Sequence, residues 1–180
     1  MLLSKFVLIY FRQLKETDLC HIYPFYLLRK DTDLNGPRNT LWGGLSLFWS
    51  QDKVQRWRDE IFPHGNENGS ESAINLISLN HTCHVLWNAG AFALKPILVS
   101  ADQKVLTLEF WWQKKMQAGQ SMSLTTRPWA THGLDRGSDG DRIVKDSEPH
   151  LIRITSGYRF TIETDNPDLR LLPSFQLLNL

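Results

Sequence analysis

The sequence predicts an α+β fold, a single domain that mixes short helices with antiparallel strands. Three observations carry that expectation. The run Val105–Trp112 alternates, with Leu106, Leu108, Phe110 and Trp112 on one face and Thr107 and Glu109 on the other, the period of a half-buried strand. Leu47, Val54, Trp57 and Ile61 recur at spacings of seven, three and four, which is one face of a helix; Gln51, Asp52, Arg56 and Asp59 fall opposite. The 180 residues are 42% apolar and 22% charged, which describes a chain long enough for one domain and able to bury a core.

Taken in order, residues 5–11 are β-branched and aromatic and read as a strand. Residues 14–17 are turn-like, and an extended segment then leads into Cys20-His21-Ile22-Tyr23-Pro24. Pro24 disfavours helix at Tyr23, so His21 is expected at the end of a hairpin strand. Residues 31–39 form a loop around Asn35-Gly36-Pro37, and Pro63 and Gly65 close the helix that ends at Ile61. A loop over 64–72 and a short apolar run over 74–79 lead to a helix over 81–88, closed near Gly90. Residues 96–100 pair with Val105–Trp112 as a hairpin. Residues 116–149 are the least structured stretch, with a mobile loop at 133–141.

A last hairpin is expected over 151–162. A three-residue loop, Thr155-Ser156-Gly157, would align Ile154 with Tyr158 and Ile152 with Phe160, and would put Gly157 where a left-handed residue is wanted. The organisation is thus one domain over 1–180: a core of about 5–115, a flexible loop of about 116–149, and a C-terminal hairpin and tail over 150–180.

Charge and cysteine content narrow the function classes. Twenty basic residues against nineteen acidic leave a net charge of +1, which argues against a broad phosphate-binding surface but leaves room for a small basic cleft. Arg56, Arg58 and Lys95, with Lys114 and Lys115, are the best candidates for nucleic-acid contacts there, although such residues are more often plain surface charges. Two cysteines make no disulfide framework, and a reducing compartment is the simpler assumption. The opening MLLSKFVLIY lacks a cleavage site and is too short to span a bilayer, so an intracellular protein without a membrane partner is expected. The seven Trp and nine Phe read as core packing rather than base stacking. Asp135, Asp139 and Asp141 lack the bidentate Glu and spacing of a calcium loop and read as solvated.

Several strings stand out together: Cys20-His21-Ile22-Tyr23-Pro24-Phe25, Phe48-Trp49-Ser50 and Ile74-Asn75-Leu76-Ile77-Ser78-Leu79. His84, Trp87 and the run Gly90-Ala91-Phe92-Ala93-Leu94-Lys95-Pro96-Ile97 follow, then Thr164-Asp165-Asn166-Pro167 and Leu172-Pro173-Ser174-Phe175. In these the chain resembles the HNH (ββα-metal) nuclease family, and more narrowly its fungal HNH-domain proteins, over most of its length from about Cys20.

The resemblance implies an HNH-like core with added hairpins and short helices, hydrolysing nucleic-acid phosphodiesters, DNA more readily than RNA. By it, His21 matches the general base that deprotonates the attacking water, a task suited to imidazole, whose ordinary pKa lies near neutrality. Asn75 matches the residue that holds the imidazole in place, and His84 a ligand of the single divalent metal. Magnesium is the family's usual ion. The second ligand normally comes from an Asp or His just before the base, and here that position is Cys20. Thiolate is soft, so a metal held by Cys20 would favour zinc over magnesium. A zinc site from His81, Cys83 and His84 with Cys20 and His21 is a further reading, without the usual paired-knuckle spacing. Cys20 and the near-zero net charge also leave a second function class, a catalytically inactive HNH-like scaffold serving as a binding module. Oligomeric state is not encoded in any motif.

Overall fold

The computed structural model describes residues 17–23, 41–62, 72–114, 123, 125, 130–136, 143–147 and 150–179. The strand expected over 5–11 and the loop over 31–39 lie outside them. The fold is α+β, and its first sheet is a two-stranded antiparallel pair. Strand β1 (Thr17–His21) runs against β2 (Leu76–Asn80), with Cys20 opposite Ile77 and His21 opposite Leu76. The described partner of the His21 strand lies far along the chain; a local hairpin partner would fall outside the described residues. Between them lie two helices, α1 (Leu41–Leu45) and α2 (Gln51–Ile61), and a short 3₁₀ turn, Ala73–Asn75, that leads into β2.

Helix α2 buries Val54, Trp57 and Ile61, as their spacing requires. Leu47 does not join them; it lies before the helix and is 81% exposed. Helix α3 (His81–Asn88) follows β2 directly. The Asn80 side chain accepts from the Cys83 amide at 2.8 Å, satisfying one of the free donors of the first turn. At the other end Gly90 takes φ +63°, and the amides of Gly90 and Ala91 return to the carbonyls of Trp87 and Leu86. That pattern closes a helix through a left-handed residue, which glycine adopts without a Cβ penalty.

The second sheet is three-stranded, with β4 (Val105–Trp112) between β3 (Phe92–Val99) and β7 (Tyr158–Glu163). Leu106, Leu108, Phe110 and Trp112 are all fully buried, and Phe92 stacks on Phe110 with centroids 4.8 Å apart. This face forms the larger core with Cys20, Ile77, Leu79 and Cys83, so the β1–β2–α3 unit and the sheet share one apolar interior. A smaller core gathers Tyr23, Trp42, Val54, Trp57, Ile61 and Leu177, the last from the C-terminal helix α4 (Phe175–Leu178). The tail is tied in by the Ser174 amide, which donates to the Ile74 carbonyl at 2.8 Å, and by the Ser174 hydroxyl, which donates to Glu60 at 2.6 Å.

Two expectations for the second half of the chain are corrected. Strand β6 (His150–Arg153) pairs with β5 (Val144–Ser147), while β7 pairs with β4, so 151–162 is not a hairpin. The turn itself forms: Tyr158 N donates to Thr155 O at 3.1 Å, and Gly157 takes φ +97°. Its two flanks leave for different sheets, because the Ile154 amide donates to Ile143 O and the Gly157 amide to Phe110 O. The described residues of 116–149 also hold more structure than expected, with Ile143 fully buried and Arg136 donating to the Ala91 carbonyl at 3.1 Å. Among the aromatics, Trp42, Trp57 and Trp112 pack inside, whereas Phe48 is 70% exposed.

Candidate functional site

His21 ends β1, Asn75 ends the turn before β2, and His84 sits in α3. A strand pair followed at once by a helix therefore carries all three. The chain around His21 is held from two sides. Trp87, also on α3, donates its indole N–H to the His21 carbonyl at 3.2 Å. On the other side the Asn75 carbonyl accepts from the Ile22 amide at 2.8 Å.

The Asn75 side chain continues the clamp. Its Oδ1 accepts from the Tyr23 amide at 2.8 Å, and its Nδ2 donates to the Tyr23 carbonyl at 3.3 Å. Both residues are completely buried. A carboxamide is the neutral side chain that offers one donor and one acceptor to the two faces of a single backbone residue. Asn75 thus fixes the chain two residues past His21. Tyr23 is pinned further by stacking on Trp42, centroids 5.5 Å apart.

His84 meets a partner that the sequence reading passed over. The Asp18 carboxylate Oδ2 lies 3.0 Å from His84 Nδ1 and also 3.0 Å from His81 Nδ1. His81 is largely exposed, while the His84 side chain is 28% exposed. The hydrogen bonds from His84 and then His81 hold the Asp18 carboxyl below its ordinary value of 3.8, against a smaller opposing effect of burial. Two signals in the sequence point to this group: Asp18 shares a strand face with Cys20 by the period of two, and His81 and His84 are three apart on a helix.

Cys20 faces the other way in chemical terms. It is 1% exposed, its thiol donates to the Asp18 carbonyl at 3.7 Å, and it packs in the larger core. Burial, aided by the Asp18 charge, pushes its thiol up to about 11. Cys83, also in that core, is pushed up to about 12 by burial. Both are neutral thiols at physiological pH. Among the described residues no three His, Cys, Asp or Glu side chains are grouped so as to hold a metal ion. Arg56 and Arg58 lie on α2, and Lys95 lies on β3 opposite Glu109; none is on the strand pair or helix that carries His21, Asn75 and His84. Asp135 pairs with Arg153 rather than lying free in a loop.

Residues 10–95 match the sequence profile of the HNH endonuclease family, which supports an HNH-domain reading of this segment. That segment spans the strand pair, α3 and the start of β3. Neither the curated proteins nor the solved structures contain a match to the chain. The family generally uses a divalent metal. The donors present answer unequally to such an ion. A neutral thiol closed into an apolar core does not suit a hard cation, so Cys20 and His84 do not fit it as a ligand pair. The partly exposed Asp18 oxygen beside His84 does. No helix of the described residues is long and apolar enough to cross a membrane.

Proposed function

We propose that the protein is a metal-dependent endonuclease that hydrolyses phosphodiester bonds in DNA. The observation that supports it best is the joining of His21, Asn75 and His84 on one strand-pair-and-helix unit within the family-matched segment. His21 would accept the proton of the attacking water, as an imidazole acting as general base does. The Asn75 clamp on Tyr23 and the Trp87 bond to the His21 carbonyl hold the backbone that carries this imidazole, so the base meets its water without reordering the strand. His84 would bind the divalent ion, which when present supplies charge stabilisation at the phosphate and the departing oxygen. Magnesium is the ion proposed. A net charge of +1 implies that DNA is held by few local contacts rather than a basic surface, with Arg56, Arg58 and Lys95 as candidates.

The test is plasmid nicking with Mg²⁺, Mn²⁺ or Zn²⁺ added separately, comparing the wild-type chain with His21→Ala. Nicking that requires metal and falls by about a hundredfold or more in His21→Ala supports the reading. Activity that persists in His21→Ala refutes the assignment of the base. A folded wild-type protein that cleaves neither DNA nor RNA with any of the three metals would leave the inactive scaffold as the better reading.

A further inference from the structure

We infer that Asp18, rather than the residue immediately before His21, supplies the oxygen ligand that completes the metal site at His84. The inference deepens the metal-dependent reading above and rests on it. It starts from the strand. Side chains alternate across β1, so Asp18 and Cys20 belong to the same face, and a ligand function moved from one to the other still faces α3. At Cys20 that face is closed into the core, whereas at Asp18 it opens to solvent, with the carboxylate 36% exposed. An ion bound there can keep water molecules and accept a phosphate oxygen, as hard cations held by few protein groups do.

The spacing agrees. Two neighbouring ligands of an octahedral ion, each at about 2.1 Å from it and at a right angle, stand about 3.0 Å apart. Asp18 Oδ2 and His84 Nδ1 are 3.0 Å apart. His81 Nδ1 makes a like approach to the same oxygen, but from a side chain that is 75% exposed. Among the described residues the donors at this position are Asp18 and His84, and water and substrate can fill the remaining places around the ion. The chemical class of the ion follows from this donor pair: one carboxylate and one imidazole suit Mg²⁺ or Mn²⁺ and do not select for a thiophilic metal.

An alternative role for Asp18 is purely orienting, accepting a hydrogen bond from His84 so that the far ring nitrogen meets the ion. Ligand substitution separates the two. The experiment uses the full chain with Mn²⁺ as the probe, its binding followed by electron paramagnetic resonance, and circular dichroism verifying the fold of each variant. The wild type is expected to bind one Mn²⁺, Asp18→Asn to bind it at least about tenfold more weakly, and Cys20→Ala to bind it as the wild type does. In a parallel titration with Cd²⁺, Asp18→Cys is expected to gain a thiolate-to-metal charge-transfer band that weakens when His84→Ala is added.

Wild-type affinity in Asp18→Asn together with loss in Cys20→Ala would overturn the inference while sparing the metal-dependent reading. A folded Asp18→Cys protein without the Cd²⁺ band would also overturn it, leaving Asp18 as an orienting group. A folded wild type that binds no Mn²⁺ would sink both. Normal Mn²⁺ binding without DNA nicking would sustain the ligand assignment and count only against the nuclease.

Discussion

Replacing Asn75 with Ala should show how much of the site's order is stored in one buried carboxamide. The substitution removes two hydrogen bonds to Tyr23, at 2.8 and 3.3 Å, inside a region where both residues have no solvent exposure. The shorter bond matters most, because the Tyr23 amide loses its Asn75 acceptor and water cannot reach it; a buried donor stripped of its partner costs about 1–3 kcal/mol. The emptied volume adds a smaller penalty, about 1 kcal/mol for the few atoms removed. The sum, about 2–4 kcal/mol, is a large share of an ordinary domain's stability of roughly 5–15 kcal/mol, so the variant should fold but marginally. Urea denaturation followed by tryptophan fluorescence is the assay. With a slope of about 2 kcal/mol per M, the midpoint should fall by about 1–2 M with the slope unchanged. A loss below about 0.5 kcal/mol, the range of an ordinary surface change, would refute the clamp as a structural element.

Three further outcomes follow from the same geometry. With thiols pushed up to about 11 and about 12 and shut into the core, Cys20 and Cys83 should resist a disulfide-exchange reagent at pH 8 in the native protein. Both should label in urea, and fast native labelling would contradict their burial. Gly157→Ala should destabilise by more than about 1 kcal/mol, read as a lower melting temperature, because φ is +97° and the added Cβ would meet His132 Nε2 at 3.2 Å. Asp18 has a lowered folded pKa, so its stabilising contribution is full above 3.8 and is lost as pH falls through the lowered value. The urea-midpoint gap between wild type and Asp18→Asn should therefore be present at pH 7 and close well below pH 3.8; a gap that widens in acid would reverse the sign of the argument.

What the sequence disclosed was mostly what neighbours in sequence decide. The end of helix α3 was legible because Gly90 closes it from within the same short segment, whereas the Asn80 cap at its start emerged only in the structure. The inward face of β4 was legible because its four large apolar residues must share a side. Leu47 matched the helical period of α2 yet lies outside that helix, since periodicity alone does not say where a helix starts. The turn at Gly157 was read rightly from glycine's freedom at positive φ, but the partners of its flanks were not, because Ile143 and Phe110 compete for those backbone groups from far away. The candidate site divides the same way. His21, Asn75 and His84 carry local signatures, whereas Asp18 acquires meaning only when β1 and α3 meet in space. The strand partner of β1 was beyond local reading for the same reason.

The C-terminal tail ties this geometry to a remote part of the chain. The Ser174 amide is bonded to the carbonyl of Ile74, the residue before Asn75, and Leu177 closes the small core that contains Tyr23. An opening motion that frees α4 would uncover Tyr23 and loosen the turn bearing Asn75 together, so their amides are expected to exchange as one cooperative unit. Tension or a competing surface applied at the last helix would act on the backbone beside His21 without touching a single polar group of the site.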